Sequence, residues 1–424
     1  MIRLPKLVLE GGKHLRGTVK ISGSKNSALP CLFAALLTDE ECVLENVPDL
    51  MDIDTTCLLL ERLGKKTIRE NGKVTVMHGK KTEPVAPYPL VSRMRASALV
   101  LGPLLSRYGK VAAALPGGCA IGNRPIDIHL AGLKALGARS RFSQGMVRLE
   151  AKKLVGRAIR LKFPSVGATE NLLMAAVLAR GKTVIHNAAR EPEIVDLAEL
   201  LNKMGARVQG AGGKTITITG KTSLHGTVHK VIPDRIEAAT YLIAAAATRG
   251  KVELRETRAD HLKSVIEALS RAGASIRVRN PGRIGERISC EADKPLKPVN
   301  VTTEVFPGFP TDVQAQWMAL MCTVKGKTVI KETIFENRFL HAAELRRMGA
   351  QIEISGRRAA VTGVPELSGA DVMVSDLRAG AAMIVAGLMA RGRTVVNRIY
   401  HLDRGYEDME KKLSKIGAKI RRVK

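Results

Sequence analysis

The chain has 424 residues, too many for one ordinary core, and 45% of them are apolar, so two globular domains are the default. No apolar run approaches the roughly 18 residues that span a bilayer, and the opening "MIRLPKLVLEGG" lacks a signal-peptide core and cleavage site, so a cytoplasmic protein with no membrane partner is expected. The formal charge of +28 fits an anionic ligand or a solubilising surface, while one Trp, five Tyr and no zinc-finger or RNP-like signature argue against nucleic acid as the main partner.

Six almost wholly apolar helices are predicted in chain order. They are "NSALPCLFAALL" from residue 26, "SALVLGPLLSRY" from 97, "ENLLMAAVLARG" from 170, "IEAATYLIAAAATRG" from 236, "DVQAQWMALMCTVKG" from 312 and "LRAGAAMIVAGLMARG" from 377. A turn and a β-rich strand follow in most copies, as in "GKTVIHNA" and "GKVELRET". Next comes an amphipathic helix such as "IVDLAELLNKMGA", stopped by glycine. Those glycines are Gly64, Gly137, Gly205, Gly273, Gly349 and Gly417, so a unit of about 70 residues recurs six times. A helix apolar on all faces has to be buried. The expected fold is therefore α/β, an inside-out α/β barrel in two domains, each with three repeats whose central helices are buried and whose sheets lie outside. The four "GKT" strings at Gly181, Gly213, Gly220 and Gly326 lack the glycine of a phosphate loop five positions earlier and read as turns entering strands.

Polar residues stand just before each apolar helix: Lys25 and Asn26, Arg95, Ser165 and Gly167, Asp234 and Arg235, Asp312, then Asp376 and Arg378. Capping accounts for Thr311 and Ser375. It does not account for Lys25, Arg95 and Arg378, because a cation is unfavourable at a helix N-terminus unless an anion is nearby. Parallel central helices would gather these ends on one face of each domain, and two opposed faces would make a cleft for a ligand with several negative charges. Cys119, in "LPGGCAIGNRP", sits between glycines with Arg124 close by and Pro125 as a first helical residue. A cation and a helix start lower a thiol pKa, so this cysteine can exchange protons near neutral pH. His129, just inside that helix, reads as a supporting residue. The other cysteines show no C-x-x-C pair and read as reduced thiols, with Cys31 and Cys322 in the core. No metal site and no cofactor are expected.

The motifs "SGSKNSALP", "PGGCAIGNRPIDIH", "FPTDVQAQ", "FENRF" and "RIYHLDRGYE" resemble those of the UDP-N-acetylglucosamine 1-carboxyvinyltransferases, the enolpyruvyl transferases that open peptidoglycan synthesis. The resemblance runs from about Lys6 to Lys424. It implies two domains, residues 25–232 with the Cys119 loop and residues 1–24 with 233–424, and an active site in the cleft between them. It implies transfer of enolpyruvyl from phosphoenolpyruvate to the 3′-hydroxyl of UDP-N-acetylglucosamine, with release of phosphate. Lys25, Asn26, Arg124, Arg378 and Arg404 would hold phosphoenolpyruvate. Asn26, Arg95, Arg124, Pro125, Ile126, Asp127, Ile128, Ser165, Val166, Gly167, Asp312 and Ile334 would hold the nucleotide-sugar. Cys119 would be the general acid, Asp312 the base or the group that orients the hydroxyl, and Lys25 and Arg404 would share in catalysis. Phe163 and Asp49 depart from the family pattern: some members carry basic residues there.

Three other readings stand beside this one. The shikimate-pathway enolpyruvyl transferase shares the fold and the donor. A basic nucleic-acid-binding protein on a repeat scaffold is a reading from another class. A degenerate relative that binds UDP-sugars without chemistry is opposed by the intact Lys25, Cys119, Asp312 and Arg404.

Overall fold

A computed structural model describes residues 5–80, 83–114, 126–283 and 285–423. The repeat is seen without interruption between residues 158 and 219. Strand Ala158–Arg160 leads into the buried helix Val166–Ala176, and strand Lys182–His186 returns parallel to the first. The amphipathic helix Pro192–Lys203 follows, and then strands Arg207–Gln209 and Thr215–Thr219 pair antiparallel. Strand Thr215–Thr219 lies between Lys182–His186 and Arg207–Gln209. Its period of two turns Ile216 and Ile218 into the core beside Ile185, and the threonines face outward.

Among the described residues, six four-stranded sheets share this order. Three of them, with one continuous apolar core, belong to a unit made of residues 23–114 and 126–232. The other three, with a second core, belong to a unit made of residues 5–22 and 233–423. Three sheets are completed by strands from distant parts of the chain, which the linear repeat does not show. Strand Thr227–Lys230 pairs parallel with Cys42–Glu45, and Arg16–Lys20 pairs parallel with Lys251–Arg255. Strand Lys6–Glu10 lies between Arg393–Asn397 and Lys419–Val423, antiparallel to both.

The central helices are α1 (Lys25–Ala34), α2 (Leu101–Tyr108), α3 (Val166–Ala176), α4 (Arg235–Ala247), α5 (Gln314–Met321) and α6 (Leu377–Met389). Buried positions run unbroken from Ile236 to Ala246 in α4 and from Arg378 to Leu388 in α6. Two central helices start later than the apolar pattern suggests, because 3-10 turns at Arg95–Val100 and Thr311–Val313 precede α2 and α5. Cys31 and Cys322 are buried in the cores. Among the described residues no helix is long and apolar enough to cross a membrane.

The six repeat glycines all have φ between +93° and +106° (Gly205 and Gly137), the left-handed geometry that ends a helix after its C-cap. Gly181 and Gly326 turn directly into strands, whereas Gly220 leaves one. Part of the positive charge has a structural place. Five of the six hairpin strands at sheet edges carry arginine, as in "RSRFS", "SIRVR" and "KIRRV", the exception being "QIEIS". Charge on an edge strand discourages pairing with another chain.

Candidate functional site

In the unit of residues 23–232, α1 begins at Lys25, which is 8% exposed. Its Nζ lies 2.5 Å from Oδ2 of Asp52, a buried residue in the first turn of helix Met51–Arg62. The anion that a cation at a helix start requires is thus supplied in part by the protein itself. Asn26, next on α1, is half-buried. Ser27 donates to Asp196, which also accepts from His229 Nε2 at 2.8 Å and from the Ile232 amide at 3.4 Å. The first turn of α1 is therefore tied to the segment where the chain leaves this unit. Cys31 lies within 4.8 Å of both Asp196 and His229. Its thiol is pushed well above the ordinary value by burial and by Asp196, and both Asp196 oxygens already accept hydrogen bonds.

The turn that opens with Arg95 packs against both α1 and α3. Ser165 caps α3, its Oγ accepting from the Ala168 amide at 3.4 Å, and Val166 and Gly167 form the first turn. Ile126, buried, precedes helix Asp127–Ala135, in which Asp127 is exposed and Ile128 half-buried. His129 leans on the start of α3: a Cβ on Gly167 would stand 3.1 Å from its Cε1. Burial, then the charge of Arg95, hold the His129 imidazole down at about 4. Arg95, Asp127, Ile128, Ser165, Val166 and Gly167 are thus gathered around one helix end.

In the unit of residues 233–423 the tips of α4, α5 and α6 converge. Asp234 caps α4, accepting from the Ile236 and Glu237 amides at 2.7 and 2.9 Å. Asp376 caps α6, accepting from the Arg378 and Ala379 amides at 3.0 and 3.2 Å. Asp312, ahead of α5, accepts from Arg338 at 2.8 Å, and Nε of Arg378 lies 3.4 Å from the same oxygen. Arg378 also donates to the Tyr406 hydroxyl at 3.4 Å, with its guanidinium 5.6 Å from that ring's centre. Burial alone would lower the Arg378 pKa, but Asp312 and its other neighbours raise it above the ordinary value. Arg404 ends the turn Ile399–Arg404, which packs on α6. Burial first, then Arg404, lower the pKa of His401 in that turn.

Ile334 is placed by a carboxylate. Glu332, 1% exposed, accepts from the Ile334 and Phe335 amides at 2.8 and 3.2 Å, and from the Thr303 and Thr311 hydroxyls at 2.8 and 2.9 Å. The same group therefore steadies the Ile334 loop and the residue next to Asp312. This corrects the expectation of capping by Thr311, whose hydroxyl is engaged by Glu332. Ser375 does not cap either. Asp376 does, and Ser375 donates to the other Asp376 oxygen at 3.1 Å.

Cys119, Arg124 and Pro125 lie outside the described residues. Phe163 is 41% exposed, and its carbonyl accepts from the Ser165 amide at 2.7 Å. Asp49 is paired with Arg69 at 2.7 Å. Asp52, Glu332, Arg338 and Tyr406 are not among the residues that the sequence singles out. Arg338 and Tyr406 stood inside the quoted "FENRF" and "RIYHLDRGYE". Asp52 and Glu332 sit in ordinary helix and strand contexts and carried no signal.

Residues 9–413 match the EPSP synthase (3-phosphoshikimate 1-carboxyvinyltransferase) family. The chain belongs to the EPSP synthase family. Among its relatives, UDP-N-acetylglucosamine 1-carboxyvinyltransferase of Endomicrobium trichonymphae is 57% identical over 419 residues, 99% of each chain. The protein of the same name from Desulfovibrio desulfuricans is 53% identical over 421 residues, 99% of this chain and all of the other. Of solved structures, the enolpyruvyl transferase NikO of Streptomyces tendae superposes with a TM-score of 0.88 at 27% identity over 99% of each chain. EPSP synthase of Acinetobacter baumannii superposes at 0.76 over 99% of this chain and 100% of the other, with 20% identity, and so shares the fold. The α/β fold of two three-sheet units expected from the repeats is the fold of this family.

Proposed function

We propose that this chain transfers the enolpyruvyl group of phosphoenolpyruvate to the 3′-hydroxyl of UDP-N-acetylglucosamine and releases phosphate, the first committed step of peptidoglycan synthesis. The observation that carries this is full-length identity of 57% and 53% to relatives bearing that activity's name. The shikimate alternative rests on a likeness at 20% identity, which speaks to fold.

The chemistry needs an acid and a base on opposite sides of the reacting carbon. In our reading the Cys119 thiol gives its proton to the methylene carbon of phosphoenolpyruvate. The 3′-hydroxyl oxygen bonds to the cationic C2 as its proton passes to Asp312. The adduct then loses phosphate through cleavage of the C–O bond, and the Cys119 thiolate takes a proton back from the methyl group to restore the alkene. Lys25, Asn26, Arg124, Arg378 and Arg404 hold phosphoenolpyruvate, with Arg378 on its carboxylate. A preorganised cationic shell stabilises the charge that gathers on the departing phosphate. Asn26, Arg95, residues 124–128, residues 165–167, Asp312 and Ile334 hold the nucleotide-sugar. Arg338 and Asp52 keep Asp312 and Lys25 paired until substrate arrives. No metal or cofactor has a part in this scheme. We assign the enzyme to the cytoplasm, because both substrates are multiply charged and do not cross membranes.

The test is phosphate release from phosphoenolpyruvate with UDP-N-acetylglucosamine or shikimate 3-phosphate as acceptor. Turnover is expected with the nucleotide-sugar; turnover with shikimate 3-phosphate alone overturns the assignment.

A further inference from the structure

We propose that Asn171 is a positioning residue: its amide fixes His129 as the tautomer protonated on Nε2 and aims that N–H along the first turn of α3, toward the diphosphate of the nucleotide-sugar. This rests on the assignment of residues 165–167 to that substrate. Asn171 is fully buried on α3. Its Oδ1 accepts from the Gly102 amide at 2.7 Å, and its Nδ2 donates to the Ala98 carbonyl at 2.9 Å. A backbone amide only donates and a carbonyl only accepts, so these two bonds together leave a single orientation for the side chain. The second N–H on Nδ2 then points at His129 Nδ1, 2.8 Å away. That nitrogen has to accept, so the ring proton is on Nε2.

Nε2 is on the edge of the ring turned to α3, 3.4 Å from where a Cβ on Gly167 would stand. Glycine there leaves the ring edge in place beside the amides of a helix start, the part of a helix that attracts phosphate. A second proton on His129 would put Nδ1–H against the Asn171 amide hydrogens, donor against donor. Among the described residues, the charged groups that act on the ring are Arg95, which opposes protonation, and Asp127, which favours it. The first turn of α3 carries no acidic residue. The anion is thus met by a neutral donor of fixed direction, and nucleotide-sugar binding gains no histidine titration between about pH 5.5 and 8.

The tautomer is read first in the unaltered protein, by long-range ¹H–¹⁵N NMR of the histidine rings at pH 7. His129 is expected to show a bare Nδ1 and a protonated Nε2; a protonated Nδ1 or an imidazolium overturns the proposal. This readout needs no turnover, so it stands apart from the identity of the acceptor. The Asn171→Asp variant supplies an acceptor where the donor was. It is expected to bring the His129 titration into the pH 5.5–8 window. The KM for UDP-N-acetylglucosamine should rise about tenfold and become pH-dependent, while the KM for phosphoenolpyruvate stays within about twofold. Equal loss toward both substrates, or no change toward the nucleotide-sugar, overturns it. Should the wild type turn over no UDP-sugar, the functional assignment fails, while the NMR result still decides the tautomer.

Discussion

Nε of Arg378, in the first turn of α6, stands 3.4 Å from Oδ1 of Asp312, in the turn before α5. Arg338 shares that oxygen at 2.8 Å. One carboxylate thus joins two central helices and is shared by two buried guanidinium groups, so the trio keeps a net positive charge. If Asp312 also takes the hydroxyl proton, Asp312→Asn keeps the shape and loses the base. We expect kcat to fall by about 10²-fold or more, with a smaller change in either KM, by steady-state phosphate release. Asp312→Ala leaves Arg338 and Arg378 without their shared partner and should also lower the melting temperature.

Cys119 should be alkylated by fosfomycin, an epoxide that resembles phosphoenolpyruvate. Mass spectrometry after incubation with UDP-N-acetylglucosamine should find the adduct on Cys119. The other five cysteines are buried and should stay unmodified. Cys119→Asp should keep measurable turnover, since a carboxylic acid can also donate a proton, and should not be alkylated.

Glu170 gives a pH-dependent stability. It is buried in α3, and burial, then Glu193 and Glu191, push its carboxyl up to about 8. In the unfolded chain a glutamate titrates near about 4.3. The folded state therefore holds the proton more tightly. Its contribution is complete below about pH 4 and is lost as the pH rises through 8. Glu170→Gln cannot ionise. Melting curves between about pH 5 and 9 should show the variant level with the wild type at the acid end and ahead of it at the alkaline end.

Gly273 isolates the backbone term in the repeat. Its φ is +103°, and a Cβ there would meet nothing within 4 Å. Gly273→Ala should destabilise the unit of residues 233–423 by about 1 kcal/mol through conformation alone. Gly273→Asn should lose less, since asparagine tolerates the left-handed region. Chemical denaturation of the two variants checks both values.

The repeats made the fold legible because their signal is physical. A helix with apolar residues on every side has only the interior as a destination, and six such helices, each paired with a glycine-stopped amphipathic one, define the architecture. Strand exchange was not legible: nothing in "RGTVK" or "TVHK" announces a distant partner, and their partners are chosen by tertiary closure. For the site, the cations at helix starts stood out because they break a local electrostatic rule. What keeps them there did not stand out. Asp52 lies 27 positions beyond Lys25 and Asp312 lies 66 before Arg378, and nothing in either local context announces a counter-charge. Asn171 was equally silent: it sits inside an apolar helix, and its three partners come from two other segments.

Strand Lys6–Glu10 lies between Arg393–Asn397 and Lys419–Val423, and this placement sets an order of assembly during synthesis. Strand Lys6–Glu10 waits for neighbours made about 390 residues later, while every described strand of residues 23–232 finds its partners within that stretch. At typical elongation rates of about 5–20 residues per second, that strand stays unpaired for tens of seconds or more, and the unit of residues 23–232 has a finished core before the unit of residues 5–22 and 233–423 can close.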